Sequence, residues 1–383
     1  MTLPSGPGHS PQPTDTAEAR EYNRRRRMLS VADAGVGFAV LLLLVATPWS
    51  AGLRDVAWRL SGETYALALF YYVVFLTTIT KLAGMPLDFY GFRLEHKFQL
   101  SNQKMGSWLR DELKGWLLGV GIGTLLAELV YFIIRQAPQL WWMIAWLVFI
   151  VLFVFFAQIA PVLLFPLFYK FVPLENEELK QRLVRLGERA GAHVRGVYEW
   201  KLSEKSKKAN AALTGLGNTR RIILSDTLLA NYTHDEIEAV LAHELGHHVH
   251  GHIAKSIGVQ AFITFIGFWA ASWVLDYAVN VRGMYSYIHD FANLPLLALV
   301  SSVLSLLLLP ALNAYSRYNE WQADRYCWKA VPSVAPFISA MNKLSDQNLA
   351  ERNPSRVVEV LFHSHPPIAK RVKAAEKHLA PSS

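Results

Sequence analysis

Two histidines and the glutamate between them, in His243-Glu244-Leu245-Gly246-His247, have the types and spacing for hydrolytic chemistry. Histidines four residues apart lie one turn above each other on a helix, so both rings can reach one metal ion. Glu244 points to a neighbouring face, where it can hold a water molecule that the metal polarises. These are the mechanics of a zinc hydrolase. A catalytic zinc takes a third protein ligand and leaves one position for water. The best source is Ser316-Arg317-Tyr318-Asn319-Glu320-Trp321-Gln322-Ala323-Asp324. Glu320 and Asp324 are one helical turn apart and share a face. We assign Glu320 as the ligand. Asp324 then accepts a hydrogen bond from the second ring nitrogen of a ligand histidine and fixes its tautomer. The competing expectation is a solvated helix face with Arg317 and Arg325 as ion partners.

These residues need a helix under them. Asp235 to Ala242 supplies it: acids in the first turn, then good helix formers. Thr233 or Asn231 can cap it. His248, His250 and His252 crowd its far end. His248 and His252 are also four apart, but no glutamate follows His248. They are read as facing solvent or an interface, or as supporting groups. The single cysteine, Cys327, excludes an internal disulfide and is read as inert packing. His365, held between Ser364 and Pro366-Pro367, is suited to donate to an oxyanion. A histidine near a helix start is also common without any such role.

The chain has 383 residues, of which 52% are hydrophobic and 12 are tryptophan, which is unlike an ordinary soluble enzyme. The net charge of +8 could point to nucleic acid. The basic residues instead cluster beside apolar spans, as the positive-inside rule requires, so nucleic acid is not an expected partner.

Residues 1–20 read as a disordered tail rich in Pro, Ser, Gly and Thr, not a signal peptide. Residues 21–169 read as a membrane domain with four spans, at about 31–53, 65–85, 113–134 and 140–168. Residues 170–252 are a water-facing segment that ends in the metal-motif helix. Within it, 179–190 reads as an amphipathic helix, and 197–202 and 221–224 as strands. Two further spans, at about 257–279 and 294–309, fill 253–312, and a helical segment at 313–383 completes the metal site. Arg24-Arg25-Arg26-Arg27 places the N-terminus in the cytoplasm. Even numbers of crossings then put 170–252 and the C-terminus on the same side, and the basic loop with Arg93, Lys97, Lys104 and Arg110 agrees. Within the spans, Glu128 is expected to line an internal chamber and Lys81 to reach for the interface. The fold class is thus mainly α: a polytopic membrane protein of about six spans with a cytoplasmic catalytic unit holding a small β element.

Taken together, these pieces resemble the type I CAAX prenyl endopeptidases, polytopic gluzincin-type zinc metalloproteases. The resemblance runs from about Glu18 to the C-terminus. It rests on Arg93-Leu-Glu-His-Lys-Phe98, Asn210-Ala-Ala-Leu-Thr-Gly215, Arg221-Ile-Ile-Leu-Ser-Asp-Thr-Leu228, the metal motif, the Ser316–Asp324 segment and His365-Pro-Pro367. It implies one zinc per chain on His243, His247 and Glu320, with Glu244 activating water. It implies His365 as transition-state donor, and Asn210 and Ala211 in an edge strand that pairs with substrate. It also implies a ring of membrane helices around a water-filled chamber, which would explain Glu128. The eukaryotic relatives carry a further N-terminal span, and this chain is expected to start after it. The compact size and the short loop after the sixth span look bacterial, which points to a bacterial inner membrane.

The partners so implied are a lipid bilayer and a peptide or protein substrate, prenylated or not. Within enzymes, the alternative is a quality-control metalloprotease acting on unprenylated membrane proteins. An intramembrane site-2-type protease fits less well, because charged, soluble-looking sequence precedes the motif helix. From another class, a channel or transporter with a structural zinc is disfavoured by Glu244, the open ligand count and the lack of paired broken spans.

Overall fold

The structure, a computed structural model, describes residues 15–215 and 220–379. The tail reading for residues 1–14 lies outside the described residues. Helix α1 (Ala17–Ala46) begins inside the stretch read as tail. Thr16 caps it by accepting the Ala19 amide at 3.0 Å. It stops earlier than the apolar run, because Thr47 precedes Pro48 and is extended. A short helix, α2 (Trp49–Leu60), takes up the rest.

Among the described residues, six helical stretches are long and apolar enough to cross a membrane. They are α1, α3 (Tyr65–Lys97), α4 (Met105–Gln136), α5 (Trp141–Ile159) with its continuation to Leu167, α9 (His252–Asp276) with its continuation to Val281, and a last one containing α10 (Leu294–Ala330). Helix α1 packs on α3, α3 on α4, α4 on α5, α5 on α9, α9 on α10, and α10 back on α1. That cyclic order closes a ring around an internal chamber. A ring helix has lipid on one side and the chamber on the other, so little of it is buried. In the most apolar stretch of the Trp141–Leu167 span, 0% of residues are buried. The packed core of the ring lies at the end remote from α8, where Leu44, Tyr72, Tyr131, Leu275 and Phe291 meet. Lys81 pairs with Asp88 at 2.6 Å and with Glu112 of α4, which supply its counter-charge.

The remaining chain forms the unit beneath the ring. Four strands, β1 (Phe171–Pro173), β2 (Val194–Trp200), β3 (Ala211–Thr214) and β4 (Arg220–Ser225), make one sheet in the order β1-β2-β4-β3. The sequence marked only the longer β2 and β4 from the pattern of its residues. Strand β3 sits at an edge, antiparallel to β4. Helices α6 (Glu177–Arg189), α7 (Asp226–Asn231), α8 (His234–Val249), α11 (Ala335–Gln347), α12 (Arg356–Phe362) and α13 (Ile368–Leu379) surround it. Leu183, Ile222, Leu245 and Phe337 are fully buried in the shared core.

Helix α10 joins the two parts. It crosses position 312 without a break and carries its membrane stretch straight into the unit below. Glu320, Ala323, Asp324 and Cys327, one buried stripe at helical spacing, face α8. Cys327 is buried there and its thiol donates to the Ala239 carbonyl at 3.2 Å. The start of α1 is tied to the same region. Asn23 Nδ2 donates to the Leu349 carbonyl at 2.7 Å, the Arg352 amide donates to Asp15 at 2.5 Å, and Arg27 pairs with Glu351.

Candidate active site

Helix α8 starts with a capping box. The Glu236 amide donates to Thr233 Oγ1 at 3.3 Å, and the Thr233 amide donates back to Glu236 Oε2 at 2.8 Å. Asn231 instead ends α7. With its start fixed, α8 presents His243 and His247 to α10. Their Nε2 atoms lie 3.3 Å apart. Glu320 meets both: Oε2 is 3.2 Å from His243 Nε2, and Oε1 is 3.2 Å from His247 Nε2. The ligand atoms of His243, His247 and Glu320 all lie within 4.8 Å of one another. Glu320 Oε2 is buried and makes no hydrogen bond. A buried carboxylate that turns one oxygen to each of two imidazole nitrogens, one of those oxygens unsatisfied, is the donor set of a divalent metal site.

Asp324 stands behind His243. Its Oδ1 is 2.9 Å from His243 Nδ1, and the carboxylate is fully buried. The arginine that neutralises it is Arg371, not Arg317 or Arg325. Arg371 forms a fork on Asp324, with Nη2 to Oδ1 at 2.5 Å and Nε to Oδ2 at 2.8 Å. Arg317 donates instead to the carbonyls of Glu359 and His363 at 2.9 and 2.6 Å. Burial opposes charge on His243, but Asp324 and Glu320 outweigh it and raise the ring's pKa to about 9.

His247 has a different support. Its Nδ1 is 2.9 Å from His252 Nδ1, and His252 Nε2 is 2.9 Å from Gln322 Oε1. His252 is 4% exposed, so it faces neither solvent nor an open interface. His248 lies near the Gly191 carbonyl at 3.4 Å and lines the larger of the two cavities beside Glu244.

Glu244 faces two cavities, of about 590 Å3 and about 250 Å3, each also lined by Glu320. The larger is apolar on its membrane side, with Phe153, Phe165, Ile253 and Ile257. The smaller holds Asn210, Ala211, His365 and Arg371. Burial raises the Glu244 carboxyl above its ordinary value, although the two histidines oppose this. His365 stands at the rim, with its side chain 61% exposed and Nε2 3.4 Å from Glu320 Oε1. Asn210 O accepts the Ser225 amide at 2.9 Å, and Asn210 Oδ1 accepts the Ala211 amide at 2.9 Å. Every site residue expected from sequence therefore lies around Glu244. Sequence reasoning missed Arg371 and Gln322, and left a supporting role for His252 as one alternative among others.

A helical ring in a membrane, closed by a unit that brings a His-Glu-x-x-His helix and a later glutamate together, defines a membrane metalloendopeptidase. The chain belongs to peptidase family M48: residues 173–379 match that family, and residues 4–170 match the CAAX prenyl protease N-terminal family of five membrane helices. It is 30% identical to the uncharacterized metalloprotease YhfN of Bacillus subtilis, over 96% of this chain and 86% of that one. It is 30% identical to CAAX prenyl protease 1 of Saccharomyces cerevisiae, over 79% and 70% of the two chains. The crystal structure of Ste24p from S. mikatae matches with a TM-score of 0.84 at 25% identity, covering 94% of this chain and 88% of that one. The chain is thus an integral, multi-pass membrane protein that takes a peptide or protein substrate and uses a divalent metal. The channel or transporter reading is set aside.

Proposed function

We propose that this chain is a zinc endopeptidase of the CAAX prenyl protease type, cutting near the C-terminus of a prenylated substrate. The observation that carries the reading is the convergence of His243, His247 and Glu320, with a buried Glu320 oxygen lacking any hydrogen bond. Those three side chains would hold one zinc, and zinc suits a set of two imidazoles and a carboxylate. When bound, the ion supplies Lewis acidity toward water and the scissile carbonyl. Glu244 takes the proton from the attacking water and returns it to the leaving amine. His365 donates to the carbonyl oxygen as negative charge develops on it. Asp324 accepts from His243 Nδ1 and keeps the other nitrogen free to ligate. The substrate lies extended beside β3, with Asn210 and Ala211 at the start of that edge.

Several observations support the rest of the reading. The curated relatives named CAAX prenyl proteases motivate the prenylated substrate, and the apolar cavity beside Glu244 offers space for its apolar side chains. The contacts of Asn23, Arg27 and Asp15 with 349–353 put the start of α1 and the C-terminal segment at one end of the ring. Arg24 to Arg27 support a cytoplasmic placing of that end, and the compact size supports a bacterial inner membrane. The test is a peptide with a farnesylated C-terminal cysteine motif against its unmodified twin, in purified, zinc-loaded protein. Preferential cleavage of the farnesylated peptide is expected. Equal cleavage of both would assign the chain to membrane quality control. Glu244→Gln should keep zinc and lower turnover about a hundredfold or more.

A further inference from the structure

From the contacts around His247 we infer that His252 is a positioning residue for the metal centre: it accepts the Nδ1 proton of His247 and passes the hydrogen bond on to Gln322. This rests on the metal-site reading above and adds to it a residue with a separate signature.

Helix α8 ends at Val249, and two residues on Gly251 takes a left-handed conformation with φ +64°. That residue type removes the steric cost of the turn. The chain folds back, and His252 becomes the first residue of α9 instead of continuing the α8 register. Its ring returns to within 5.0 Å of the His247 ring, centroid to centroid, and the two Nδ1 atoms stand 2.9 Å apart. Two facing ring nitrogens at that distance share one hydrogen.

The tautomers then follow in sequence. His247 turns Nε2 toward His243 and Glu320, so a ligand lone pair is needed there. A neutral imidazole has one N–H, and it must sit on Nδ1. His252 must therefore offer a lone pair at its own Nδ1 and carry its hydrogen on Nε2. That N–H donates to Gln322 Oε1 at 2.9 Å. Gln322 is oriented to accept, because its Nε2 donates to Tyr318 Oη at 3.0 Å. Each group in the chain has one role, and none is left over. The two metal histidines are thus supported differently: His243 by the Asp324 carboxylate, His247 by a neutral ring backed by an amide. His252 also opens a membrane helix, so one hydrogen bond ties α9 to His247 of the metal-site set.

The test is the zinc dissociation constant of the full chain in detergent at fixed pH, by competition with a chromogenic chelator. Asn at position 252 can place its side-chain oxygen where His252 Nδ1 accepts, and Leu cannot. His252→Leu is expected to weaken zinc about 10- to 100-fold, His252→Asn less than about threefold, and Gln322→Leu by an intermediate factor. The visible band of the cobalt-substituted chain should shift in His252→Leu and be restored in His252→Asn. Wild-type affinity in His252→Leu overturns the inference. So does equal weakening by Leu and Asn, which would mark a packing role. Should His252→Leu fail to fold, Gln322→Leu decides: wild-type affinity there overturns the inference, and weakening supports it. A wild-type chain that takes up no zinc, or takes it up equally after Glu320→Ala, refutes the metal-centre reading itself.

Discussion

Gly246 of α8 lies directly against the backbone of Ala323 in α10. A Cβ placed on Gly246 would stand 2.7 Å from Ala323 Cα and 2.9 Å from its carbonyl oxygen. Gly246 sits between the two metal histidines, and Ala323 between Glu320 and Asp324. The closeness of these two helices is therefore what lets side chains from both reach one point.

Gly246→Ala sets two effects against each other. Replacing glycine inside a helix gains up to about 1 kcal/mol of helix propensity. Overpacking costs about 1–3 kcal/mol, and here the obstacle is backbone, which cannot swing aside. The clash should win. We expect net destabilisation by thermal unfolding, and a zinc affinity lowered about tenfold or more as Glu320 is pushed from the histidines. A more stable Gly246→Ala chain with unchanged zinc affinity would show that the helices have room to spare.

The Asp324–Arg371 fork leads to a second expectation. Both charges are buried, so removing Asp324 leaves Arg371 only the more distant Glu320 carboxylate, 3.9 Å away. Asp324→Leu alone should cost about 3–5 kcal/mol in denaturant unfolding. The double change Asp324→Leu with Arg371→Met should recover most of that loss. It should not recover zinc affinity, which stays about 10- to 100-fold weak because His243 Nδ1 has lost its acceptor. Recovery of both would mean that Asp324 serves packing alone.

A third expectation concerns acid stability. Burial pushes the Glu236 carboxyl up, but hydrogen bonds from Lys343, Ser339 and the Thr233 amide outweigh it and hold its pKa below the ordinary value. A depressed folded-state pKa contributes stability above the unfolded-state value and loses it as pH falls through the folded one. Glu236→Gln should therefore cost about 1–2 kcal/mol near pH 7, with the difference shrinking below about pH 4. A difference that stays constant down to pH 3 would remove the carboxylate from the account.

How much of this was legible in the sequence follows from how local each signal is. The α8 helix announced itself, because its cap, acidic first turn and histidine spacing all lie within one stretch. The shared face of Glu320 and Asp324 was likewise local. Arg371 was hidden because it sits in a basic helix beside Lys370 and Lys373, and only the fold brings it 47 residues back to Asp324. His252 was one of three histidines for which a supporting role was only one alternative, and the reason is geometric. Its four-residue spacing from His248 assumes one helix, and the turn at Gly251 breaks that register. The continuity of α10 was obscured because the apolar run stops near Leu309, while the helix continues through Pro310 into polar sequence.

The last expectation tests the edge strand. In an antiparallel pair, alternate residues turn their amide and carbonyl toward the partner strand, and the others turn them away. Asn210 bonds to Ser225, and the register pairs Ala212 with Ile223 and Leu213 with Ile222. Ala212 then faces β4, and Leu213 turns its N–H to the open edge, on the strand packed against α8. A substrate added to that edge would accept this N–H. Leu213→Pro deletes the donor at a position where the sheet itself does not use it, and proline is tolerated on such an edge. We expect peptide cleavage to fall about tenfold or more in kcat/KM, with zinc affinity kept within about twofold. Because proline also stiffens the strand, Leu213→Ala is the control and should stay near wild type. If Leu213→Pro cleaves as well as Leu213→Ala, the substrate does not pair with β3 at this residue.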